Sequence, residues 1–398
     1  MPDFGTSGDS MSLRVAERIS GIQPFYVMEL LRRAKELEAD GKDIIHMEIG
    51  EPDFATPQTI LKAALAHTAT GDVKYTPAAG LTELRQKIAA FYRRRYGVNI
   101  PEQRVFVTPG ATGAFLLALG ASLNPGEEVL MADPCYPCNS NFVQLYDGKT
   151  RTIPVDADSH YQLTTKLIER HWSAETKGVL IASPSNPTGT LIPRAELQKT
   201  IEATRRLGGC FYSDEIYHGL VYGEKAATAL EFSDDVFVIN SFSKYFGMTG
   251  WRIGWLIVPE LFIEAAEKLS QNIFISTSSD AQHAALAAFD ESTLAELEDR
   301  RREFEKRRDF LYDALVRLGF DIPIKPAGAF YIYARCAKFT DDSFQFALDL
   351  LENEGVAVTP GKDFGLHEAH HALRFAYTTS LDRLAEAVRR LERFLDAR

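Results

Sequence analysis

The feature that most limits what this chain can become is a series of short, mostly apolar runs separated by stretches of helical periodicity. They are Arg104-Val105-Phe106-Val107, Val129-Leu130-Met131, Val179-Leu180-Ile181-Ala182, Cys210-Phe211-Tyr212-Ser213, Val236-Phe237-Val238-Ile239 and Gly254-Trp255-Leu256-Ile257-Val258. A strand with one wet face alternates apolar and polar residues, whereas a strand apolar along its length must be covered on both faces. The pattern predicts an α/β fold with a mostly parallel central sheet flanked by helices. Helical spacing is expected over 57–69, over 81–96 until Gly97 stops it, and through Leu116-Leu117-Ala118-Leu119. An earlier helix is expected over 25–38 behind Pro24, followed by a short strand at Asp43-Ile44-Ile45-His46-Met47.

Beyond about Thr293 the texture changes. A long charged helix to 317, a strand at Phe330-Tyr331-Ile332-Tyr333, a helix over 342–353, a strand near 372–377 and a last amphipathic helix read as a smaller α+β domain. The expected division is a disordered tail at 1–11, an arm and part of the small domain at 12–54, a large domain at 55–292 and the small C-terminal domain at 293–398.

A net charge of −11 argues against a nucleic-acid or anionic-membrane partner. The basic clusters Arg93-Arg94-Arg95 and Arg300-Arg301-Arg302 lie in helical patterns with acids nearby and read as solvated helix faces. No run approaches the roughly 18 apolar residues of a membrane span, and the first residues lack the apolar core of a signal peptide, so a cytoplasmic location is expected. Four cysteines are too few for a disulfide framework in a chain of 398 residues.

In open α/β sheets ligands collect at the carboxyl ends of strands, so the residues after each run carry the functional reading. Thr108-Pro109-Gly110-Ala111-Thr112-Gly113 leads into a helix whose free N–H groups favour a phosphate. Ser183-Pro184-Ser185-Asn186-Pro187, taken singly, is a Pro/Gly turn, and Asp214 in Asp214-Glu215-Ile216-Tyr217 is more often a helix cap. A lone lysine is usually solvated. Lys244, in Ser241-Phe242-Ser243-Lys244, instead comes after a buried strand and precedes Arg252 by eight residues. Desolvation and cationic neighbours are what make a Schiff-base lysine nucleophilic.

These segments together resemble the fold-type I pyridoxal phosphate enzymes, and most closely the class I aminotransferases that include aspartate aminotransferase. The resemblance runs from about Ile22 to the C-terminus, and its most specific block is Ser241-Phe242-Ser243-Lys244 through Arg252-Ile253-Gly254. It implies a pyridoxal 5′-phosphate cofactor held by Lys244 as a Schiff base, with Asp214 on the ring nitrogen and Asn186 and Tyr217 on the ring's O3′. It further implies a phosphate cup of Ala111, Thr112, Ser241, Ser243 and Arg252, and Tyr136 stacked on the ring. Tyr75 matches the tyrosine that reaches the phosphate of a neighbouring subunit, which implies a homodimer with shared sites. Arg374 matches the fork for the substrate α-carboxylate, and Gly50 the glycine whose backbone approaches it. Lys244, Asp214 and Tyr217 form the catalytic group of this reading.

The implied activity is ping-pong transfer of an amino group from an L-amino acid to a 2-oxo acid, 2-oxoglutarate being one acceptor. The alternative on the same fold is a carbon–sulfur β-lyase. Relatives specific for aspartate grip the second carboxylate with a cation, yet the phosphate-loop position is Thr112 and Gln271-Asn272-Ile273-Phe274-Ile275 offers none. An apolar, alanine-like, aromatic or broad donor therefore fits as well. Cys135-Tyr136-Pro137-Cys138 has redox spacing without a second pair, and His367-Glu368-Ala369-His370-His371 spells a zinc motif without an apolar helical face. No metal is expected at either.

Overall fold

The computed structural model describes residues 13–22 and 25–397, so the tail expected over 1–11 and Pro24 lie outside the described residues. In chain order the strands are β1 (Ile45–His46), β2 (Val105–Thr108), β3 (Glu128–Asp133), β4 (Lys149–Pro154), β5 (Thr176–Ala182), β6 (Cys210–Asp214), β7 (Val236–Ser241), β8 (Gly254–Ile257), β9 (Tyr331–Arg335), β10 (Val356–Ala357), β11 (Thr359–Pro360) and β12 (Ala372–Ala376).

β2 to β8 make one seven-stranded sheet in the order β2-β8-β7-β6-β5-β3-β4. Its strands are parallel except β8, which runs antiparallel to both neighbours. The apolar runs do what their composition demands: successive side chains go to opposite faces and both faces are buried. Val105, Val107, Phe211, Val238 and Ile257 enter one hydrophobic core, and Phe106, Met131, Tyr212, Phe237 and Leu256 enter a second. The helix Gly110–Ser122 covers the second face against β7 and β8.

β11, β12 and β9 form a small antiparallel sheet, and β1 pairs in parallel with β10, Ile45 opposite Val356. The helices Glu291–Leu318, Ser343–Glu354 and Leu381–Asp396 pack around these strands, and the early helix Tyr26–Ala39 joins them. The chain's early segment is thus built into the same layer as its late one.

The arginine cluster at 300–302 is only partly a solvated face: the side chains of Arg300 and Arg301 are 15% and 19% exposed. Arg300 sits over the Phe54 ring and pairs with Glu296. Among the described residues no helix is long and apolar enough to cross a membrane.

Candidate active site

Parallel strands point the same way, so the loops at their carboxyl ends meet along a single edge of the sheet. β5, β6 and β7 therefore bring Asn186, Asp214 and the segment from Ser241 to Lys244 together, while β3 brings Tyr136. Arg252 arrives by the opposite route. Because β8 is antiparallel, its first residue lies beside the last residues of its neighbours, with Gly254 opposite both Thr108 and Ser241. These groups line a cavity of about 540 Å³, a size suited to a small-molecule site.

At its base, Ser241 Oγ donates to Ser243 Oγ at 2.9 Å, and the Ser243 N–H returns to Ser241 Oγ at 3.0 Å. Beside them Gly110 opens its helix with φ +68, where an added Cβ would lie 2.9 Å from Arg252 Nη2. A glycine here keeps the helix N-terminus, Ala111 and Thr112 included, open next to a guanidinium. Free N–H groups, a positive helix end, two hydroxyls and an arginine make an anion cradle.

Above it, Lys244 Nζ donates to the Gly50 carbonyl at 2.8 Å and lies 5.8 Å from the Phe330 ring centroid. Desolvation, helped by the cation of Arg374, pushes its amine down to about 8. Asp214 is 4% exposed and accepts one N–H, from Ile216 at 3.2 Å. Burial raises its carboxyl to about 7, so a cation set against it is what keeps it ionised. The Tyr217 hydroxyl meets that of Tyr331 at 2.9 Å.

Arg374 is 5% exposed and held on all sides. Nη1 donates to Asn186 Oδ1 at 2.9 Å, and Nη2 to the Glu48 carbonyl at 2.5 Å and to Thr359 Oγ1 at 3.1 Å. Its carbon lies 4.2 Å from the Tyr331 ring centroid and 4.8 Å from that of Phe364. Nε is buried with no hydrogen-bond partner among the described residues.

Every expected site residue borders this cavity except Tyr75, whose side chain is 82% exposed on the surface of the same chain. Tyr331, Glu48 and Thr359 were not anticipated. Tyr331 opens β9 and its ring packs against those of Phe330 and Tyr217, a contact that the apolar run alone does not announce. Glu48 contributes a carbonyl, which leaves no side-chain trace.

Among the described residues no three or more His, Cys, Asp or Glu side chains are grouped as metal ligands would be. Cys138 borders the cavity, and burial pushes Cys135 up to about 12. His367 to His371 form no α-helix: Glu368 has φ +50 and leads into a single 3-10 turn, Ala369–His371. His371 faces Asp341 and Glu368 faces Arg335.

The profile of the family described as aminotransferase class I and II matches residues 42–391. The (5-formylfuran-3-yl)methyl phosphate transaminase of Methanocaldococcus jannaschii is 36% identical, over 96% of this chain and 100% of its own. A valine–pyruvate aminotransferase of Mycobacterium tuberculosis is also 36% identical, over 97% of this chain and 99% of its own. A crystal structure of an aminotransferase from Mycobacterium tuberculosis superposes with a TM-score of 0.94 at 36% identity, covering 97% of this chain and 100% of that one.

Proposed function

This chain belongs to the class I and II aminotransferases, with the fold-type I architecture, and on that premise we propose that it moves the amino group of an L-amino acid to a 2-oxo acid with pyridoxal phosphate as cofactor. The observation that carries the reading is the convergence of a depressed lysine, a buried carboxyl, an anion cradle and a buried arginine fork on one cavity. A phosphate-bearing aldehyde with a basic ring nitrogen suits these groups. Gly110 and Arg252 flank room for the phosphate, Asp214 has carboxylate capacity left for a cationic N–H, and Lys244 is an amine lowered to about 8, so that part of it is neutral near physiological pH.

When bound, pyridoxal phosphate supplies an aldehyde for an amine and a ring that draws electrons out of the substrate Cα–H bond. Ser241, Ser243, Arg252 and the N–H groups of Ala111 and Thr112 hold the phosphate. Tyr136, Asn186 and Tyr217 line the same cavity and would hold the ring, the last two as hydrogen-bond donors. Asp214 would pair with a protonated ring nitrogen, a cation that would hold this buried carboxyl ionised. Arg374 grips the α-carboxylate, with the Gly50 backbone beside it, and so sets the Cα–H bond toward Lys244. As a neutral amine, Lys244 Nζ would take that proton, a general-base role matched to a group near 8. Release of the oxo acid before a second 2-oxo acid binds makes the cycle ping-pong, with 2-oxoglutarate as one acceptor to try. We further propose the domain division at 55 and 293, a shared-site homodimer and a cytoplasmic location.

The test is to mix purified holoenzyme with a panel of amino donors and 2-oxo acids and to track both the visible spectrum and the products. We expect the yellow colour to bleach with a donor alone and to return with an oxo acid. Pyruvate and ammonia from a cysteine conjugate, with no amino group passed on, would instead identify a β-lyase.

A further inference from the structure

Much of the cavity's lining is apolar. Phe25, Val27, Met28 and Leu31, at the start of the helix Tyr26–Ala39, form one wall, and Phe115 and Phe142, stacked at 5.3 Å, form another. The cations among the described lining residues are Lys244, Arg252 and Arg374, each of which already has a task. The remaining charges there, Glu48, Glu51, Asp214 and Asp363, are acids. Among this chain's described lining residues a second substrate carboxylate would lose its water without gaining a free cation.

How this wall is fixed is the second observation. The first N–H groups of a helix have no partner within it, and Phe25 at the N-cap provides no side-chain acceptor. Asp363, from the far end of the sequence, accepts both the Tyr26 N–H at 2.6 Å and the Val27 N–H at 2.8 Å. It is 7% exposed and ends a short 3-10 turn directly after β11, the strand whose Thr359 supports Arg374. One stretch of chain thus fastens both the fork for the α-carboxylate and the apolar wall, which fixes the distance between them. A carboxylate at a helix N-terminus is also favoured by the helix dipole.

Resting on the transaminase reading of this site, we infer that the donor carries an apolar side chain received by the wall of Phe25, Val27, Met28 and Leu31, and that Asp363 is the positioning residue that holds this wall in register with Arg374. The same wall ranks a monocarboxylic 2-oxo acid above 2-oxoglutarate as acceptor.

The experiment uses holoenzyme in three arms. In the first, half-reaction rates for phenylalanine, leucine, alanine and aspartate are read from the cofactor spectrum. Aspartate is expected to be the slowest, and aspartate outrunning leucine and phenylalanine would overturn the inference while leaving transamination intact. In the second, Asp363→Ala is compared with wild type. Loss of two charge-assisted hydrogen bonds should lower the phenylalanine-to-alanine ratio of kcat/KM about tenfold, and hydrogen exchange should speed up in the peptide holding Tyr26 and Val27. An equal fall for both donors, or unchanged exchange, would overturn the role of Asp363. Met28→Arg, at a position 54% exposed and tolerant of a long polar chain, should raise aspartate relative to leucine, and no rise would count against the wall. The third arm measures binding of 3-phenylpropanoate against succinate by calorimetry. Preference for the former supports the wall even where no donor is transaminated, so the two readings fail separately.

Discussion

At the scale of the residue, neighbours one position apart have different fates. Asp214 and Glu215 look equally suited to chemistry in sequence, yet only Asp214 borders the cavity. Glu215 turns away, and its Oε1 accepts from Thr228 Oγ1 and the Ala229 N–H, both at 2.9 Å. Asp214→Asn should therefore weaken retention of pyridoxal phosphate by roughly 10- to 100-fold, the range of one lost charge-assisted hydrogen bond, measured by release of the cofactor during dialysis. Lys244 gives a pH prediction. Its folded pKa is depressed, so the neutral amine that adds to an aldehyde becomes the major form as pH rises through about 8. Capture of added pyridoxal phosphate by the apoprotein, read from the absorbance change, should have its midpoint near 8, and Lys244→Ala should abolish it. Lys244, Asp214 and Arg374 were legible because each sits in a motif at or after a predicted strand. Asp363 was not, because its partners are backbone N–H groups far away in sequence.

At the scale of the element, the apolar runs identified the buried strands, and their continuity announced that both faces would be covered. The runs carry no direction, so nothing in them said that β8 would run antiparallel. That reversal is what brings Arg252 to the cradle. β4 escaped notice for a different reason: an edge strand needs no apolar run, and Lys149–Pro154 buries only Ile153. Gly254 shows how tightly β8 must approach the helix Gly110–Ser122. A Cβ there would lie 2.8 Å from the Asn240 oxygen and from the Gly110 carbonyl carbon, and 2.9 Å from the Ala111 nitrogen, all of them backbone. Gly254→Ala should force strand and helix apart. We expect a loss of about 1–3 kcal/mol, the cost of an overpacked core, seen as a lowered denaturation midpoint, together with looser phosphate binding.

At the scale of the whole molecule, Tyr75 stands outside its own chain's cavity, and only the family resemblance gave it a role. If a second copy supplies it to the phosphate, Tyr75→Phe should speed cofactor release about tenfold, as for one hydrogen bond to a charged group, although an 82% exposed residue in a monomer would have no such effect. Diluting the protein below its dimer dissociation constant should erase the difference between the variant and wild type. The pairing of β1 with β10 has a consequence for how the molecule comes into being. The proposed cofactor floor is drawn from β2 to β8, but the two proposed handholds for the substrate, the Arg374 fork and the apolar wall, are assembled only when the start of the chain meets its late strands. A ribosome that has released the chain through β8 has made all seven strands of the large sheet and the proposed cofactor seat, but not yet the strand that carries Arg374. The early segment must wait, with its apolar residues uncovered, until β10 to β12 emerge to receive it.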